Sequence, residues 1–214
     1  MEFVDEQIAM IEREKRRQDR EELLAAGRVG MEEETALRMS LEEALQGVRE
    51  GSLLLPGNER FEFEVRYYFE DKIPAVVIRN FYTGVQEDKD VVFLVNHDRN
   101  ISQVLTVSDK KLERQSIGKW KKQLATGMNA AGSYADVTKE AVLENLDYLI
   151  YRTPTGKGWT YNLIFRIRTG SERVVGNYNC FEKDKDTYGL MLEALVHRLN
   201  ELLSVPAEEG AKGE

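Results

Sequence analysis

The clearest rhythm in the chain runs from Trp159 to Arg168, WTYNLIFRIR. Trp159, Tyr161, Leu163, Phe165 and Ile167 recur at every second position, while Thr160, Asn162, Arg166 and Arg168 fill the alternate ones. Ile164 is the one apolar intruder on the polar side. Strict alternation carried by aromatic and β-branched residues predicts a long strand. Turn formers bracket it, Thr153-Pro154-Thr155-Gly156-Lys157-Gly158 before and Thr169-Gly170-Ser171 after. The strand therefore belongs between two hairpins. The same period runs through Phe61, Phe63, Val65, Tyr67 and Phe69. Pro74–Ile78 is apolar on both faces, and Pro74 suits a strand start or a sheet edge. Val91–Asn96 and Ile101–Val107 read as strands around the tight turn His97-Asp98-Arg99-Asn100, preceded by a polar loop, Thr83–Asp90. Tyr134–Leu143, Tyr148–Thr153 and Arg173–Phe181 complete the set.

Helical spacing appears in four places. Ile117, Trp120, Leu124 and Met128 form one stripe, with Ser116 as its N-cap. Residues 184–203 form a final helix, capped by Asp184 or Asp186, with Tyr188, Leu192, Leu195, Leu199 and Leu202 on its buried side. Near the N-terminus, Asp5 caps a first helix ending near Gly27, whose middle, Glu12–Glu22, offers no apolar residue to a core. Such a run is expected to be a solvated or partly disordered helix held by i,i+4 ion pairs. A second helix runs from about Met31 to Glu50, and Leu37, Leu41, Leu45 and Val48 give it a stripe to dock on the main domain or on another chain. Gly51 and Pro56-Gly57-Asn58 mark a boundary. The expected organisation is a charged helical extension over 1–50, an α+β domain over 51–205, and a disordered acidic tail over 206–214. Strands joined by short turns imply antiparallel pairing. Two amphipathic helices and several strands apolar on both faces then favour a single antiparallel sheet with helices on its faces.

Charge sharpens this division. The net charge of the chain is −8, of which residues 1–50 carry −6 and residues 206–214 carry −2, leaving 51–205 neutral. A general affinity for nucleic acid or anionic lipid is disfavoured. The single cysteine, Cys180, excludes an intramolecular disulfide and fits a reducing compartment. No apolar run approaches the ~18–20 residues that cross a bilayer. The first residues, MEFVDEQIAMIEREKRR, lack the basic start and apolar stretch of a signal peptide. A cytoplasmic protein is the expectation.

Candidate chemistry is sparse. His97 sits in a turn and His197 on the solvated flank of the last helix, so neither is expected beside a nucleophile. Cys180, on a strand beside aromatics, reads as a small buried hydrophobe. Asp88/Asp90 and Asp184/Asp186 do not continue into a calcium loop, and CxxC and HExxH are absent. Gly156-Lys157-Gly158 lacks the first glycine of a phosphate-binding loop and precedes a strand, so it is a hairpin turn. Lys119-Trp120-Lys121-Lys122 is basic around an aromatic, but Trp120 belongs to the apolar stripe. Glu32-Glu33-Glu34…Ser40 carries the acidic wording of a ubiquitin-interacting helix with its Ala and Ser at the wrong offsets. No catalytic, metal or cofactor-binding residue is assigned. What remains is a candidate partner-binding set, Tyr148, Tyr151, Tyr161, Arg166, Arg168 and Arg173, drawn from the residue types enriched at interfaces. The bland alternative is cross-strand packing and solvated charge.

The order of these segments carries a family likeness. VVFLVN and ISQVLTVSD lead to the helix SIGKWKKQLATGM. Next come YADVTKEAVLENLDYLIYR, GWTYNLIFRIR, ERVVGNYNCF and the closing helix DTYGLMLEALVHRLNELL. This pattern, spread over 61–203, resembles the PsbP/DcrB-like α/β/α sandwich. That group includes photosystem PsbP subunits, a Ran-binding Mog protein, DcrB-type lipoproteins and the Eag chaperones of type VI secretion. The extension 1–50 and the missing lipoprotein signal depart from the DcrB pattern. The resemblance implies a non-enzymatic binding, adaptor or chaperone-like protein with a protein partner, in the Eag case one with an exposed apolar helix. Two other readings are kept: an assembly module that forms a homodimer through residues 31–50, and a hydrolase with an unrecognised site.

Overall fold

A computed structural model describes residues 39–108, 115–168 and 173–204. The expected first helix, the start of the second and the acidic tail lie outside the described residues. Among the described residues, ten strands and three α-helices follow in order. They are α1 (Leu41–Glu50), β1 (Ser52–Leu55), β2 (Glu59–Tyr68), β3 (Ile73–Ile78), β4 (Gly84–Glu87), β5 (Val91–Asn96) and β6 (Ile101–Ser108). Then come α2 (Ile117–Ala130), β7 (Asp136–Val142), β8 (Leu146–Thr155), β9 (Gly158–Ile167), β10 (Arg173–Phe181) and α3 (Leu190–Leu202).

The class is α+β with antiparallel pairing throughout, as the alternation predicts, but the strands form two sheets where one was expected. Seven are ordered β4-β5-β6-β10-β9-β8-β7, and three form a separate sheet, β1-β2-β3. Alternation fixes which face a side chain takes and leaves open which strand is its neighbour; the long strand β2 pairs only with β1 and β3. Pro74, with no N–H to give, sits on β3, an edge strand. The expected polar loop Thr83–Asp90 contains the short edge strand β4, paired with β5 from Gly84↔Val95 to Glu87↔Val92.

Register decides what each face of the large sheet carries. The hairpin β8–β9 closes through a two-residue loop with Thr155 opposite Gly158, which sets Tyr148 opposite Phe165 and Asp147 opposite Arg166. Phe165, Leu163, Gly176, Tyr178, Leu105, Ile101 and Leu94 share one face, and the side chains among them are at most 2% exposed. The three-stranded sheet lies on this face. There the buried Gln103 donates to the carbonyl of Val76 at 3.2 Å, and Tyr82 bonds its side-chain oxygen. Helix α3 covers the rest and buries much of its circumference: Met191, Leu192, Glu193, Ala194, Leu195, Val196 and Leu199 are all buried. It needs cover on its outer side, and α1 gives it. Ser40 and Glu43 form a reciprocal capping box at the start of α1, Ala44, Leu45 and Val48 are buried, and Arg49 binds Glu201 of α3 at 2.5 Å. Over 41–50 the Leu45/Val48 stripe thus packs within the chain, and this helix contributes to the core.

The opposite face carries α2. Ser116 accepts from the N–H of Lys119 at 3.3 Å, the expected N-cap. The stripe Ile117, Trp120, Leu124 and Met128 points at the sheet, yet each member stays only half-buried, so α2 docks loosely. The last helix starts differently from the expectation. Neither Asp184 nor Asp186 caps it; a 3-10 turn, Glu182–Asp184, and a single π turn, Lys185–Gly189, lead in without a side-chain cap.

Candidate functional site

The loose seat of α2 leaves a cavity of about 230 Å³ between the helix and the sheet. Gln115, Trp120, Gln123 and Leu124 line it from the helix side, and Ile164, Arg166 and Val175 from β9 and β10. Ile164, the apolar intruder of the β9 pattern, is explained by this position: it floors the cavity.

Arg166 is 6% exposed and Asp147 3%. The guanidinium donates from Nε and Nη2 to Asp147 Oδ2 at 3.1 and 2.8 Å, and from Nη2 to the carbonyl of Gln115 at 2.6 Å. The guanidinium Cζ lies over the Trp120 ring, 4.6 Å from its centroid, a cation–π contact. Arg168 approaches the same carboxylate from the other side, Nε to Oδ1 at 3.3 Å, and anchors to the carbonyls of Leu143 and Glu144. Buried charges persist only when paired and hydrogen-bonded. Here one aspartate holds two arginines beneath the end of α2.

On the other face a second polar group sits between the sheet and α3. Glu193, 3% exposed, accepts from the Tyr148 hydroxyl at 2.5 Å and pairs with Lys139 of β7. Tyr148 also lies 3.2 Å from His197 Nε2, ring against ring at 5.7 Å. Burial, then the bond to Glu193, pushes the Tyr148 phenol far above its ordinary range. Burial holds His197 below its usual value, opposed by the charge of Glu193. His197 is therefore not on a solvated flank: it is half-buried against Tyr148 of the sheet and Glu193 of its own helix.

The six residues expected to form one partner-binding surface do not do so. Tyr148 and Tyr161 lie under α3, while Tyr151, Arg166 and Arg168 belong to the α2 face. Tyr148, Tyr151, Tyr161 and Arg166 are all at most 7% exposed. The physical reason is the two-residue period itself, which sends even and odd positions of paired strands to opposite sides. Arg173 pairs through its backbone with Ser108, and its side chain is outside the described residues. Trp120, Gln115, Gln123 and Asp147 were missed as site residues. For Asp147 the signal was available, because the two-residue turn after Thr155 fixes its partner.

Cys180 is buried, and burial raises its thiol pKa well above the ordinary range, as expected of a small core hydrophobe. Among the described residues no three His, Cys, Asp or Glu side chains gather as a metal site, and no helix is long and apolar enough to cross a membrane.

No family model matches this chain, and no curated protein does. Among solved structures, it is similar to the solution structure of cyanobacterial PsbP (CyanoP) from Synechocystis sp. PCC 6803. The likeness has a TM-score of 0.50 at 12% identity and covers 63% of this chain and 89% of that one. At that identity it shows the fold alone, and the fold is PsbP-like.

Proposed function

We propose that this chain is a non-enzymatic protein-binding domain, adaptor or chaperone-like, that seats a partner against α2 and the cavity beneath it. The size and lining of that cavity carry the reading. At about 230 Å³ it is smaller than the ~300–1,000 Å³ of small-molecule and cofactor sites. It suits one anchoring side chain of a larger partner. Its walls combine Trp120 and Arg166 with Leu124, Ile164 and Val175, and Trp and Arg are among the residue types that dominate binding energy at protein interfaces. Of the described lining side chains only Arg166 ionises, so they offer no acid–base pair. The resemblance to the Eag chaperones adds the class of partner, a polypeptide with an exposed apolar helix.

The test is affinity capture from the organism of origin with the full chain and two variants. Wild type and Lys139→Ala, altered on the opposite face, should retain the same dominant polypeptide, and Trp120→Ala should lose it. No polypeptide enriched over an unrelated bait, or equal retention by Trp120→Ala, removes the proposal.

A further inference from the structure

The geometry points to a carboxylate as the group this cavity receives: an acidic side chain of the protein partner, its anion on Arg166 and its stem against Trp120 and Leu124. The inference rests on the protein-binding reading and names the chemistry of the anchor.

Three observations carry it. A guanidinium has five N–H donors in a fixed plane. Nε and Nη2 supply the three bonds of Arg166, two to Asp147 and one to Gln115, and its Nη1 donates to none of the described residues. A side chain only 6% exposed with two donors that no described residue takes, on the wall of an open space, is set up for an acceptor to arrive. The charges give the acceptor its sign. Asp147 faces both Arg166, at 2.8 Å, and Arg168, at 3.3 Å, so the cluster keeps an excess of one positive charge. Glu140, the acidic side chain that reaches α2, is taken by Lys121 at 3.2 Å. The aromatic wall completes the case. The guanidinium Cζ stands over the Trp120 ring at 4.6 Å, so an anion that reaches Arg166 has an indole beside it for its apolar stem. A cationic anchor would be repelled, and a wholly apolar one would leave the Nη1 donors buried without a partner.

Two probes of nearly equal shape separate charge from fit: 3-phenylpropanoate and its neutral amide, 3-phenylpropanamide. The chain has two tryptophans, so Trp159→Phe makes Trp120 the sole indole reporter, and fluorescence titration at low salt follows binding. The acid should bind at least about tenfold more tightly than the amide, as expected of a charge-assisted bond. Asp147→Asn removes the competing carboxylate and keeps Arg166, so it should tighten the acid several-fold and leave the amide unchanged. Val175→Phe fills the cavity with its charges intact and should abolish both. If Asp147→Asn fails to fold, the acid–amide comparison and Val175→Phe still decide. Equal binding, preference for the amide, or no binding of either probe by folded protein overturns the inference. A partner captured through Trp120 without acid preference removes this inference alone. Acid preference without such a partner removes the protein-binding reading instead.

Discussion

At His197 a single proton changes the charge of a covered side chain. Its surroundings come from four elements: Glu193 and Glu201 on its own helix, Tyr148 from β8, Lys139 from β7 and Arg49 from α1. Burial lowers its pKa, and Glu193 and Glu201 oppose that without reversing it. An unfolded chain would protonate this imidazole near 6.5, and the folded chain does so only at lower pH. Between those values the unfolded state binds more protons, so stability falls as pH drops through 6.5 toward the folded value, and the contribution is whole above 6.5. Thermal melts from pH 7.5 to 5.5 should show a falling midpoint in wild type and a flatter line in His197→Gln. Parallel slopes in the two proteins would mean that the imidazole does not titrate as its setting requires.

Between elements, a tight fit lies where β9 pairs with β10. Gly176 stands opposite Phe165, and a methyl group there would overlap three atoms of its ring. The ring cannot retreat, since it is fully buried and meets Tyr178 edge-on at 5.1 Å. Gly176→Ala should therefore cost about 1–3 kcal/mol by overpacking, read as a lower urea midpoint at unchanged slope. Phe165→Leu in the same chain should recover part of that loss, a non-additivity that independent sites do not show. Simple additivity would place the strain elsewhere. This pair also marks how far pattern alone reaches. Alternation identifies β9 and β10 and the faces of Phe165 and Arg166, because burial depends on parity. The turn at Gly156-Lys157 then specifies the β8–β9 register, hence Asp147 against Arg166. Pairing that depends on longer connections is not written locally. The sequence before Gly84 says nothing of β2 and β3 leaving the large sheet, and the conspicuous Ile164 reads as an exception until α2 is seen above it. Glu193 stays hidden for a related reason: within a leucine-rich helix it reads as a surface position, and only the docking of α3 on β7 and β8, against Lys139 and Tyr148, makes it buried.

For the molecule as a whole, the position of α1 decides where the domain begins. Composition puts a boundary at Gly51, where the acidic segment ends and the neutral one starts. Packing puts Leu41–Glu50 on the inner side of that line, because α3 is apolar on the side away from the sheet as well as toward it. Ala44, Leu45 and Val48 are at most 7% exposed, and burying a Val or Leu side chain contributes ~1.5–3 kcal/mol. Loss of the Ser40 capping box removes ~1 kcal/mol more. Against a total of ~5–15 kcal/mol for a domain, a chain starting at Gly51 should keep much of its sheet but lose cooperative unfolding. It should bind a hydrophobic dye and associate in sedimentation as the outer face of α3 meets water. The same experiment on the full chain separates this account from the assembly reading, in which residues 31–50 hold two copies together. If 31–50 build a dimer, full-length protein sediments as the dimer and the shortened one as a folded monomer. If α1 is an internal cover, the shortened chain is the one that gains mass. A sharp melt with monomeric mass for the chain beginning at Gly51 would show that α3 tolerates water on that face and that α1 is dispensable to the fold.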